Sequence, residues 1–583
     1  MIDLIVHATH EAAVKAGGIG AVLSGLLSSE VYNAEVKRTV LLGQYDARDS
    51  MEWERMRAPR NKFKILFHGY EQINEVDEAV ALAFHGVQQF HSVSILYGTR
   101  RFGDVEHEVL LVDSSRAAVG PINDFKSWLY QWQGIEVHRY EGYPEFDWTI
   151  GGAVASVAAL HALVGNVGGP SFFVAHEWLG LPALFAAQQH LYGQYRTIFY
   201  AHEVATARAI VEGNDGQDLR FYNAMRIAKA QGLRMEDAFG SYRHFYKHAL
   251  LRAALNLEGI FAVGDLVLEE LAFLDPAVRG RDTDIVYNGV PSKAITVEEK
   301  LASKGLLQDY SNNLFGVTPS WVFTHVTRLV PSKGIWRDFR ILQHLDWLLA
   351  ERGETGIYYL LSTVRPAGRR PEDVFRWEWE YGWPLHHRAD NGDLIDYEWD
   401  YYQMVENHNR HARATRAVFI NQFGWSRDRC GNRMPEAMEF SDLRNGADVE
   451  FGLSVYEPFG IAQVEPLSFG AICAISSACG CVGFLDDVAA LDAPNIVLGD
   501  YLFLPDWFPA SLGNVLRIDQ GMRNIVAEQE APRIAQAIDA ALPRDNATLQ
   551  QRIDDGYAIS QKMSWEVVAE DYFLPALRRI AGL

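Results

Sequence analysis

With 583 residues the chain is too long for one ordinary hydrophobic core, so two or more domains are expected. Its 48% apolar and 22% charged content is that of a globular protein, and a formal net charge of −22 argues against nucleic acid or an anionic membrane as the main partner. A phosphorylated ligand would need a local basic pocket. The four cysteines, Cys430, Cys473, Cys479 and Cys481, have no histidine beside them at zinc-ligand spacing, so reduced buried thiols in a cytoplasmic protein are expected. The N-terminus lacks a basic start followed by a long apolar region, and no run of about 18 apolar residues occurs, so neither a secretory leader nor a membrane span is expected.

In chain order, Ile2 to Ala8 reads as a short buried strand that runs into Lys15-Ala16-Gly17-Gly18-Ile19-Gly20 and a helix. Glycines ahead of a helix start let backbone N–H groups approach an anion; a tight strand-to-helix connection accounts for the same glycines. Strands are expected at 39–42, 63–67, 93–96 and 109–112, and an Ala-rich helix at 149–164. Phe172 to Ala175 is the next strand and leads into His176-Glu177-Trp178, while 197–201 is another and ends at His202. Each histidine stands at a strand tip, where a satisfied structural role competes with a ligand contact. A helix over 242–255, a strand over 259–263, a helix that Asp265 can cap, and Val286-Tyr287-Asn288-Gly289-Val290 close this half. A polar linker is placed at 291–319.

The second half opens with a strand at 321–326 and Thr327-Arg328-Leu329-Val330-Pro331-Ser332-Lys333-Gly334. A guanidinium fork and an ammonium at a strand end and the helix start after it can converge on one diphosphate, although a charged surface turn has the same spelling. A strand at 357–363 is followed by an aromatic-rich stretch, 365–434, with Trp377, Trp379, Trp383, Trp399, Tyr381, Tyr397, Tyr401 and Tyr402. These rings suit an insert's own core or a subunit interface better than a glucan platform. A returning strand is read at 418–421 and a helix at 434–443. The apolar run 451–455 reads as a buried strand, Glu457-Pro458-Phe459-Gly460 as a tight turn, and the segment to Phe469 as an amphipathic helix carrying Glu465. A strand at 471–475, a small-residue loop to Gly483, helices at 532–542 and 549–562, and Ser564-Trp565-Glu566 end the chain.

Glu457 and Glu465 resemble the Glu-x7-Glu signature of retaining nucleotide-sugar glycosyltransferases, and Tyr456-Glu457-Pro458-Phe459-Gly460 resembles the wording in glycogen and starch synthases. The Lys-x-Gly-Gly-Ile-Gly loop at Lys15, the His-Glu-Trp at His176, the His202 segment, the Asn288-Gly289-Val290 closing segment, the Arg328…Lys333 pair and the terminal Ser-Trp-Glu are similar to elements of the same family, in the same order. Two departures stand out: Thr327 takes the place of a usual Gly, and Cys481 a place where a second Gly is common.

The resemblance implies an α/β fold of two Rossmann-like domains facing a cleft (the GT-B architecture), with the C-terminal helix crossing back to the N-terminal domain. Its domains would be 1–290 with 564–583, and 320–563 with the insert at 365–434. It implies transfer of glucose from ADP-glucose or UDP-glucose to the non-reducing end of an α-1,4-glucan. His176, Arg328, Lys333 and Glu457 would be catalytic; Lys15, Gly17, Gly18, His202, Phe459, Gly460 and Glu465 would bind the donor or substrate. The basic pair would stand where other enzymes use a divalent ion, so neither metal nor cofactor is expected. The expected partners are the donor and the glucan, with a homo-oligomer as a further option. A related enzyme with a small acceptor, of the sucrose- or trehalose-synthase type, and a non-catalytic glucan-binding protein are the alternatives.

Overall fold

Sixteen strands form two separate sheets in the computed structural model, which describes residues 1–364, 368–422 and 424–583. By contact the chain divides into two units: 1–207 with 232–289 and 565–583, and 208–231 with 290–564. The first three residues of the aromatic-rich stretch, 365–367, lie outside the described residues.

The first unit holds β1 (Leu4–Ala8), β2 (Thr39–Gln44), β3 (Phe63–His68), β4 (Ile73–Asn74), β5 (Ser94–Phe102), β6 (Val105–Asp113), β7 (Ser171–His176), β8 (Arg196–Ala201), β9 (Gly259–Ala262) and β10 (Thr283–Ile285). They lie in the order β10-β9-β8-β7-β1-β2-β6-β5-β3-β4. Neighbours from β10 to β6 are parallel, and β5, β3 and β4 extend that sheet in antiparallel fashion. β1 and β7 are buried along their whole length, as strands covered on both faces must be. The Pro144–Val164 helix is apolar and long enough to cross a membrane; 56% of its apolar window is buried inside the protein. Trp565 packs between Gly25 and Gly289, where an added Cβ would overlap the indole in either case. The Glu566 carboxylate accepts from Ser29 Oγ at 2.6 Å and from the N–H groups of Glu30 and Val31, at the start of the Glu30–Glu35 helix.

The second unit holds β11 (Trp321–Thr327), β12 (Gly356–Ser362), β13 (Thr415–Ile420), β14 (Val449–Gly452), β15 (Ile472–Ser476) and β16 (Ile496–Gly499), all parallel, in the order β13-β12-β11-β14-β15-β16. This is the doubly wound order of a dinucleotide-binding sheet.

Several local readings change. The segment expected to be a linker carries a helix, Val297–Phe315. Thr296 Oγ1 accepts from Glu299 N, the Glu299 carboxylate accepts from Thr296 N, and Leu307 and Tyr310 are buried. The expected helix at 434–443 shrinks to Phe440–Asn445. The helix after Gly460 covers Ile461–Val464 and then tightens to a 3₁₀ turn, because Pro466 has no N–H to continue it. Asp265 lies in the first turn of its helix rather than at the cap, where it accepts from Tyr287 Oη. Residues 208–231 cluster with the second unit because Arg337 grips Asp218 through two N–H groups, at 2.7 and 2.9 Å, and Asn223 donates to Leu502 O. Trp377, Tyr381 and Trp383 lie in the core with Ile357, Tyr359 and Val418, whereas Trp379 is 86% exposed.

Candidate functional site

In a doubly wound sheet a ligand sits outside the carboxyl ends of the two strands where the order reverses. In the second unit these are β11 and β14, and the loops after them are locked together. Ser332 O accepts from the N–H groups of Val455 at 2.7 Å and Tyr456 at 3.2 Å. Arg337 Nη1 donates to the carbonyls of Leu453 and Ser454. Gly334, at φ +62°, lies so close to Leu453 O that a Cβ would collide with it. That clamp brings Lys333 against the Glu457 carboxylate, to which it donates.

Around Glu457 the charges are unequal. Burial pushes its carboxyl up, but the cations of Lys333, Arg208 and Arg328 outweigh this and hold it below the usual carboxylate range. The Arg328 side chain is exposed and, among the described residues, has no hydrogen bond or ion pair. Arg208 lies 5.2 Å from the Tyr456 ring centroid and 3.4 Å from Glu212. Three cations therefore stand against two carboxylates, Glu457 and the Glu212 that pairs with Arg208, which leaves a net positive charge at the switch point of a protein whose net charge is −22. Gln463 donates to Ser454 Oγ at 2.9 Å and accepts from the Cys479 thiol at 2.9 Å, which bolsters the turn from behind. Gly460 has φ +94°, a conformation that suits glycine.

The other predicted residues of this unit serve differently. Phe459 is buried with its ring 6.4 Å from that of Phe484, so it anchors the loop instead of presenting a ring to a ligand. Glu465 is partly exposed and ion-paired at 3.2 Å with Arg444, which also binds Glu450. The amides of Gly480 and Cys481 are spent on the carbonyls of Glu457 and Phe459, at 2.8 Å each.

In the first unit the order reverses between β1 and β7. The glycine loop after β1 wraps the buried carboxylate of Glu11, which accepts from Ala16 N at 2.7 Å and Gly17 N at 2.5 Å. Two of the amides expected to serve a ligand are thus occupied, while Lys15, Gly17 and Gly18 remain exposed. His176 is fully buried and uses both ring nitrogens: Nε2 to His7 Nδ1 at 2.8 Å and Nδ1 to His202 Nε2 at 2.9 Å. Neither ring nitrogen is left for a ligand. Half-buried His202, stacked on it at 5.1 Å, is the outer member. Burial lowers the pKa of all three histidines, that of His202 to about 3, so they are neutral. Beside them Glu177 adopts φ +60°, accepts from Glu203 N at 2.7 Å, and is pushed up to about 8, first by burial and then by Glu203.

Sequence reasoning passed over Arg208, His7, Glu11, Arg337 and Asp218. The signals were a histidine inside an apolar strand and an acid just ahead of a glycine loop. The Arg337–Asp218 pair, 119 residues apart, left none.

No family model matches the chain, and no curated protein matches it in sequence. Solved structures do. The catalytic domain of starch synthase IV from Arabidopsis thaliana, bound to ADP and acarbose, is 13% identical with a TM-score of 0.53, and the match covers 100% of this chain and 99% of that one. Trehalose-6-phosphate synthase from E. coli, bound with UDP-2-fluoro glucose, is 12% identical with a TM-score of 0.51 and 99% coverage of both chains. Sucrose-phosphate synthase from Thermosynechococcus elongatus is 14% identical, TM-score 0.50, covering 100% of this chain and 99% of that one. The fold is therefore GT-B, an α/β architecture of two parallel-sheet domains.

Proposed function

We propose that the chain is a retaining glycosyltransferase that takes glucose from a nucleotide sugar and adds it to an α-glucan. The observation that carries this reading is the excess of positive charge at the β11/β14 switch point, where Arg208, Arg328 and Lys333 outnumber Glu457 and the Glu212 paired with Arg208 in an acidic protein. A diphosphate is the ligand such a site suits. Solved structures of the same fold carry ADP or a UDP-sugar, which supports the donor class.

In the reaction the bond from the anomeric carbon to the diphosphate oxygen breaks, and one forms from that carbon to an acceptor hydroxyl on the same face. The hydroxyl proton goes to the leaving phosphate oxygen. Arg328 and Lys333 would stabilise the charge that grows on the diphosphate. Glu457, kept ionised by its cations, would oppose the positive charge on the sugar ring, and Glu465 would serve the ribose. Of the first unit's residues, Lys15, Gly17 and Gly18 would contact substrate from the exposed loop and His202 from a strand tip, with His176 behind it.

The likeness to trehalose-6-phosphate and sucrose-phosphate synthases favours a second reading with a small acceptor. Incubation with radiolabelled ADP-glucose or UDP-glucose and glycogen separates the two. Label in alcohol-precipitable polymer is the expected result. Label in a soluble disaccharide or its phosphate, with those acceptors supplied, would select the second reading, and consumption of neither donor would overturn both.

A further inference from the structure

From β2 to the tip of β8 the first unit contains one unbroken line of hydrogen bonds. Thr39 Oγ1 and Tyr32 Oη are 2.9 Å apart, Tyr32 Oη and His7 Nε2 3.1 Å, His7 Nδ1 and His176 Nε2 2.8 Å, and His176 Nδ1 and His202 Nε2 2.9 Å. Tyr32, His7 and His176 are fully buried and Thr39 nearly so. Phe573, from the C-terminal segment, closes over His7 and Tyr32, with centroids 6.3 and 6.0 Å away. Neutral imidazole has one donor and one acceptor nitrogen, so the choice made at one end is imposed on every ring along the line.

The Thr39 end makes that choice. Among the described residues its hydroxyl has one partner, Tyr32. If Tyr32 donated to Thr39, the threonine proton would be left buried and unpaired, which costs more than an unused lone pair on oxygen. Thr39 therefore donates to Tyr32, Tyr32 donates to His7 Nε2, His7 Nδ1–H donates to His176 Nε2, and His176 Nδ1–H donates to His202 Nε2. Every donor along the line is satisfied in this direction. What emerges at the half-buried end is His202 Nδ1, carrying a proton.

The geometry points to a positioning device: Thr39, Tyr32, His7 and His176 hold His202 as its Nδ1–H tautomer, so that the tip of β8 offers a fixed, uncharged donor to a sugar hydroxyl oxygen. The second part of this inference rests on the glycosyltransferase reading, while the tautomer itself does not. Neutrality matters because a donor that carried a charge would recognise phosphate as readily as a hydroxyl. His202 is the group that would touch substrate; the others act through it.

Protein labelled with ¹⁵N in histidine, studied as the full chain, reports the tautomer of each ring from its nitrogen shifts. In the wild type His202 should be protonated at Nδ1, the form less favoured by a free side chain. His176→Phe removes the donor to His202 Nε2 and should release His202 to a mixture of tautomers. In turnover the same variant should raise KM for the sugar acceptor three- to tenfold, with kcat changed less. An Nε2-protonated His202 in the wild type, or an unchanged tautomer in His176→Phe, would overturn the inference. If the tautomers behave as stated but no sugar donor is consumed, the hydrogen-bond line stands and the proposed reaction falls.

Discussion

The two units carry the same winding and opposite electrostatics. In each, the strand order reverses at the first strand, and in such a sheet a ligand lies outside the carboxyl ends of the reversing strands. At β1/β7 those positions hold His7 and His176, with His202 at the next strand tip, all uncharged, and a carboxyl at Glu177 that burial keeps protonated near neutrality. At β11/β14 they hold Lys333, Glu457 and Arg328, with charge in excess. The winding decides where a ligand can lie, and the side chains decide whether hydroxyls or phosphates are welcome. A neutral donor-and-acceptor surface suits a sugar; a cationic notch suits a diphosphate.

The contrast can be broken most forcefully in the second unit, at the buried pair beneath its notch. Arg337 donates twice to Asp218 and twice to the loop after β14, and its guanidinium lies 3.8 Å from the Tyr501 ring centroid. Asp218→Asn leaves that cation without a counter-charge, for which a loss of about 3–5 kcal/mol is typical. Chemical denaturation should show it as a lower midpoint. A midpoint within error of the wild type would mean that the pair does not hold the loop.

Next in size is Arg328→Ala. The side chain is exposed and unpaired among the described residues, so stability should stay within about 0.5 kcal/mol. If it stabilises the leaving diphosphate, kcat should fall roughly 10²–10³-fold, about 3–4 kcal/mol of transition-state stabilisation. Loss of stability with unchanged turnover would invert the roles assigned to Arg328 and Arg337.

How far these sites could be read from the sequence follows the range of their interactions. Arg328, Lys333, Glu457 and Gly460 lie on strand-to-helix turns whose local pattern is visible, and the strands beneath them are apolar runs. The Val297–Phe315 helix was also legible, through Thr296 and Glu299 at capping-box spacing, but its polar face made it look like a linker. Arg337–Asp218 and the line from Tyr32 to His202 join elements far apart in the chain, and no local periodicity announces them. Glu11 shows the converse: its neighbours spell an anion-binding loop, and the fold supplies the anion from the chain itself.

The smallest effect tests the uncharged state of the first unit. Glu177 has an ordinary value of 4.5 and is raised to about 8, so between those limits the folded chain holds a proton that the unfolded chain has lost. Stability from this group is complete below 4.5 and declines as pH rises through 8. The three histidines act in the other sense, because each is lowered from 6.5; their contribution is present above 6.5 and is lost as pH falls. Above that value the histidine contribution is level, so the share of stability that Glu177 carries should fall by about 1–2 kcal/mol between roughly pH 6.5 and 8. Glu177→Gln, which resembles the protonated carboxyl, should flatten the decline in a pH series of denaturant melts while leaving the acid limb in place. Parallel curves for the two proteins would mean that Glu177 is ionised in the fold, and that the first unit is less different from the second than its geometry indicates.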